Sequence, residues 1–130
     1  MRYLSSLVLT GLVVFLLVGF SDSSYAKESN RIPHTVAGNL YNNDGSIPGE
    51  GDIRFTAYIE GRVDDVLTEE STGCGYNASF WQVNAGNFKS GWNAGNVLVV
   101  EFENKKTGQK TSAQVTLSTN DPDDAGKVTF

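Results

Sequence analysis

Ile53-Arg54-Phe55-Thr56-Ala57-Tyr58-Ile59-Glu60 is the stretch that decides the fold class. Ile53, Phe55, Ala57 and Ile59 occupy every second position, with Arg54, Thr56, Tyr58 and Glu60 between them. A period of two belongs to a β-strand that turns one face to a core and the other to water. Outward from this segment the pattern recurs. Val36, Gly38 and Leu40 alternate with Thr35, Ala37 and Asn39, and Leu98, Val100 and Phe102 oppose Glu101 and Glu103. Further strands are expected over 65–69, 79–84, 112–118 and 127–130. No window sets apolar residues at helical spacing over three turns.

The connections between these segments are rich in turn formers. Asn42-Asn43-Asp44-Gly45-Ser46 is a strong turn, because Asn, Asp and Gly tolerate the left-handed backbone of tight turns. Thr72-Gly73-Cys74-Gly75, Ala85-Gly86-Asn87, Lys106-Thr107-Gly108 and Asn120-Asp121-Pro122-Asp123-Asp124 break the chain at similar intervals. Short strands at this spacing predict an all-β domain: a single Greek-key, immunoglobulin-like β-sandwich of about seven strands over 34–130. Its expected core is Val36, Leu40, Ile53, Phe55, Ile59, Val83, Leu98, Val100, Phe102, Val115 and Leu117. In Phe80-Trp81 one ring must face that core.

Val36-x-Gly38-x-Leu40, then Asp44-Gly45-Ser46-Ile47-Pro48, then Gly51-x-Ile53-x-Phe55, resembles the opening of the carboxypeptidase regulatory-like, transthyretin-like secreted modules. Thr72-x-x-Gly75-Tyr76 and Gly86-Asn87-Phe88 are similar to the middle of those modules. Trp92-Asn93-Ala94-Gly95-Asn96 resembles a loop-to-strand entry of secreted bacterial immunoglobulin-like modules. The shared motifs are turn motifs, which speak for fold rather than activity. The resemblance implies a mostly non-catalytic class of spacers, adhesion or assembly modules and companions of enzymes. Here the module stands behind a signal peptide with no enzyme or anchor domain, so an accessory role would be played in trans.

The start of the chain reads as that export signal. Arg2 precedes an apolar run from Leu4 to Phe20, and Ser21-Asp22-Ser23-Ser24-Tyr25-Ala26 provides a polar exit with Ser24 and Ala26 at the peptidase-read positions. A membrane span needs roughly 20 apolar residues, and this run is shorter. Residues 1–26 are therefore read as a cleaved signal peptide, leaving no membrane span, and 27–33 as a flexible leader. The expected location is secreted or periplasmic. The chain carries a net charge of −5, and Lys105-Lys106 is its one basic pair, which disfavours nucleic acid as a partner.

Candidate chemistry is sparse. His34 and Cys74 are the only histidine and cysteine, so no internal disulfide and no zinc site built on four such ligands can form. Neither residue lies in a nucleophile motif. Carboxylate pairs such as Glu101 with Glu103 fit a solvated strand face better than glycoside hydrolysis. No cofactor is demanded; calcium is the single candidate, on Asp121, Asp123 and Asp124, since it takes six to eight oxygen ligands. Such turns also form without metal, through bonds to their own backbone. A glycan is the alternative ligand, with Trp92 and Tyr76 as the aromatic faces that would stack on sugar rings if exposed. Asn77-Ala78-Ser79 is a glycosylation sequon in a eukaryotic secretory path.

The expectation that follows is a non-catalytic binding module, with no catalytic residues. Its partner would be an extracytoplasmic protein or another cell-envelope component, or further copies of itself. The leader could add as a strand to a neighbour's sheet edge.

Overall fold

The computed structural model describes residues 32–130. The signal peptide expected over 1–26, and the leader as far as residue 31, lie outside the described residues. The alternation read from the sequence becomes eight strands: β1 Thr35–Tyr41, β2 Ile53–Ile59, β3 Val66–Thr68, β4 Gly75–Asn77, β5 Phe80–Asn84, β6 Val97–Asn104, β7 Lys110–Thr116 and β8 Asp123–Thr129. They form two four-stranded sheets, ordered β4-β5-β1-β8 and β3-β2-β6-β7. Every pairing is antiparallel except that of β1 with β8, which is parallel. The fold is all-β, as the alternation predicts.

Three strands differ from expectation. β7 runs over Lys110–Thr116, two residues earlier than the expected 112–118. β4 is not among the expected strands: its first residue, Gly75, falls in the expected turn 72–75, and three residues are too few to show a period. β8 begins at Asp123, four residues before the expected start at Lys127. A register shift lies between its pairings with Ala37 and Asn39, and Gly126 has φ +67°. That irregularity interrupts the alternation, so the apolar signal survives only at Val128.

The facing surfaces of the two sheets make the core. Phe102 stands edge-on to Phe55, with ring centroids 5.7 Å apart, and to Trp81, at 5.1 Å. Such pairs contribute about 0.5–1.5 kcal/mol each beyond the area they bury. All the expected core residues are buried except Val115, which packs against the cluster partly exposed. Trp81, Tyr76, Phe88, Trp92, Ala57, Leu67 and Val128 join them. Trp81 is the ring of its pair that faces inward; Phe80 remains 47% exposed on the other side of the sheet. Among the described residues no helix is long and apolar enough to cross a membrane.

Candidate functional site

The strand registers gather one set of loops at one end of the sandwich. Thr35 pairs with Asn84, Val36 with Asp123, Ile59 with Leu98, and Val97 with Thr116. The entry segment 32–34 and the loops 60–65, 85–96 and 117–122 therefore share that end. Most of the chemistry-bearing residues picked from the sequence fall there, including His34, Trp92, Asp121 and Asp123.

His34 is the centre of the cluster and is only 2% exposed. Its Nε2 meets Asp123 Oδ2 at 2.8 Å, so the ring nitrogen donates to the carboxylate. Asp123 also accepts from the Ser118 N–H at 2.8 Å and from the Ser118 hydroxyl. Burial pushes the Asp123 carboxyl up, but the two Ser118 bonds and His34 outweigh it and hold it below the ordinary carboxylate value. The imidazole face stacks on Trp92, with centroids 4.1 Å apart and planes at 25°. Trp92 Nε1 donates to the Ile32 carbonyl at 2.8 Å, and the His34 N–H to Asn84 Oδ1 at 3.1 Å. Ala85 N–H closes the set by donating to the His34 carbonyl at 2.8 Å.

Histidine, serine and aspartate thus meet, but in an order that carries no nucleophile. The carboxylate sits between the other two, and the Ser118 hydroxyl donates to Asp123 rather than to the imidazole. Proton relay in a serine hydrolase requires the imidazole in the middle. The cluster fastens the chain entry to the sandwich end instead. Ile32 and Pro33, expected to be leader, already belong to it. A Cβ on Gly86 would lie 2.7 Å from the Ile32 carbonyl oxygen and 2.9 Å from Pro33 Cα, so glycine is required where the segment crosses.

The second loop is fastened in the same manner. Arg62 Nη1 donates to Ser90 Oγ and the Gly91 carbonyl, at 3.1 Å each. Asp65 accepts from the N–H groups of Lys89 and Ser90 and from the Ser90 hydroxyl. Burial raises the Asp65 carboxyl and these bonds lower it further than burial raises it. Val63 lies between those anchors with its side chain 65% exposed, and Ile32 is 65% exposed as well.

The ligand sites expected from sequence are rearranged. Trp92 is 6% exposed and Tyr76 8%, so neither offers a ring face to a sugar. Trp92 is the lid stacked on His34, and Tyr76 donates from its hydroxyl to the Pro48 carbonyl at 2.7 Å. The calcium trio is dispersed as well. Asp121 Oδ1 accepts the Thr35 N–H, Asp123 faces inward to His34, and Asp124 Oδ1 accepts the Gly126 N–H. Among the described residues no three His, Cys, Asp or Glu side chains are grouped as metal ligands. Cys74 is partly buried and unpaired in any disulfide, and burial raises its thiol pKa.

Fold and site together define a two-sheet β-sandwich with one fastened loop end. Searches of protein-family models, curated proteins and solved structures return no match to this chain.

Proposed function

We propose that the chain is a non-catalytic, exported β-sandwich module that binds a protein partner at the cell envelope through its loop end. The observation that carries this reading is the pairing of exposure with fixation there. Ile32 and Val63 stand out in solvent on backbone held by the bond from Trp92 to the Ile32 carbonyl and by the bonds that Arg62 and Asp65 each make to Ser90. Apolar side chains on pre-ordered loops bind without the entropic cost of ordering them first. Mixed charges around them, Arg62, Asp64 and Asp121, suit the polar rim of a protein interface. The apolar run from Leu4 to Phe20 supports export. The Asp44-Gly45-Ser46-Ile47-Pro48 turn between β1 and β2 supports kinship with the carboxypeptidase regulatory-like, transthyretin-like modules.

The test is affinity capture from a detergent-solubilised envelope extract, using protein expressed from the full 130-residue chain. One dominant partner, or further copies of this chain, is the expected eluate, and it disappears for the Ile32→Ser, Val63→Ser double variant with an unchanged melting temperature. Capture of nothing above background rejects the reading.

A further inference from the structure

Across the molecule from the loop end, the outer face of the β4-β5-β1 sheet carries one exposed aromatic ring, Phe80, in an environment of its own. Directly paired residues in a sheet share a face. Phe80 pairs with Asn77 on one side and Asn39 on the other, and Gln82 follows two residues on along the same face. Gln82 in turn lies between Gly75 and Ala37. Gly75, which has no side chain, leaves a hollow of about 280 Å³ beside the ring, lined by Gly75, Tyr76, Asn77, Phe80 and Gln82.

The hollow contains no charged side chain, on a protein of net charge −5. Lys127, which pairs with Asn39, directs its ammonium over the Tyr41 ring instead, 5.1 Å from the centroid. What surrounds Phe80 is carboxamide. Asn39 Oδ1 accepts from the Ser79 hydroxyl at 3.2 Å, and Gln82 Nε2 donates to the Gly73 carbonyl at 3.2 Å. Asn39 Nδ2 and Gln82 Oε1 are left for a ligand, and so is the whole Asn77 amide.

The rim is also held rigid. Ala78 and Ser79, joining β4 to β5, have φ of +48° and +74°, a left-handed pair that non-glycine residues adopt only under constraint. The constraint is local. The Ser79 N–H donates to the Tyr76 hydroxyl at 3.3 Å, and the Leu40 N–H to the Ser79 carbonyl at 2.7 Å.

From this we infer a second binding site, specific for a neutral glycan, centred on Phe80. A pyranose has apolar C–H faces that lie on an aromatic ring, and equatorial hydroxyls that pair with donors and acceptors around it. Amides supply both without charge. Two variants separate binding from folding. Phe80→Ala removes the platform at a half-exposed position. Gly75→Val fills the hollow: its backbone is extended, and an added Cβ meets nothing closer than the Glu69 carbonyl at 4.0 Å.

The experiment is NMR titration of protein expressed from the full chain with six neutral hexasaccharides: cello-, xylo-, manno-, malto-, laminari- and chitohexaose. At least one is expected to shift the amide signals of Asn39, Asn77, Phe80 and Gln82 saturably. Phe80→Ala should weaken that association about tenfold or more, Gly75→Val should abolish it, and Phe80→Tyr should retain it. The Ile32→Ser, Val63→Ser variant should bind as the wild type does, which separates this site from the loop end. Absence of shifts with all six sugars at millimolar concentration, or shifts that persist in either Phe80→Ala or Gly75→Val, overturns the inference.

Discussion

His34 and Asp123 stand 89 positions apart in the chain and 2.8 Å apart in the fold, joined through Nε2 and Oδ2 in a buried bond. This bond ties the first strand to the last at the point where they begin their parallel pairing. Its removal should therefore loosen the whole loop end.

Asp123→Ala leaves the His34 imidazole and the Ser118 N–H and hydroxyl without their acceptor. Stranding a buried donor costs about 1–3 kcal/mol, so equilibrium urea unfolding should show a loss of at least about 2 kcal/mol. A loss below about 0.5 kcal/mol, the scale of a surface substitution, would mean the cluster is ornamental.

The acid limb of stability has a definite sign. Asp123 and Asp65 both titrate below their ordinary value when folded, so the unfolded chain takes up protons first as pH falls. The stability they contribute is present above about pH 4, the unfolded carboxyl pKa, and is lost as pH drops through and below it. Asp123→Asn should flatten that limb. If the unfolding free energy of both proteins falls with identical slope between pH 5 and pH 2 (a range set around that carboxyl value), Asp123 is not a linked group.

Gly86→Ala would press a methyl group on Ile32 and Pro33. Overpacking of this kind costs about 1–3 kcal/mol, and the strain should be relieved by displacement of the entry segment. Faster tryptic cleavage after Arg31 is the expected readout, against an unchanged rate after Lys105 and Lys106.

Ala78→Gly should stabilise the protein. Alanine at φ +48° is strained and glycine is not, and relief of left-handed strain is worth roughly 1–2 kcal/mol, offset in part by glycine's greater chain entropy. A rise in melting temperature is expected; a fall would show that the hairpin gains more from alanine's contacts than it loses in strain.

Both tryptophans should behave as buried. Trp81 is 0% and Trp92 6% exposed, so iodide should quench emission weakly and neutral sugars should leave it unchanged, even where they bind at Phe80.

How much of this could be read in advance follows from periodicity. β2 and β6 lie at the centre of their sheet; β2 alternates strictly and β6 does so from Val100 onward, and the residues they were expected to bury are buried. Phe80-Trp81 had to be split between core and solvent, and the phase set by Val83 in the same strand points to Trp81. Asp123 was legible only as turn chemistry. A carboxylate at an inward strand position looks like an error until a histidine from the other end of the chain is brought opposite it. Likewise Trp92 in a Gly/Asn-rich loop carries no local sign of its partner, because His34 is contributed by an element 58 residues away. Composition named the sugar and calcium candidates, but it carries no sign of the packing that buries the Trp92 and Tyr76 rings and turns Asp123 inward to His34.

The claim that the loop end is the partner surface is tested most directly by photo-crosslinking in the cell. A benzophenone amino acid placed at Val63 should yield one discrete adduct after irradiation, and the same probe at Gln109, in the β6–β7 hairpin at the opposite end of the sandwich, should yield none. No adduct at Val63, or equal adducts at both positions, would contradict the account.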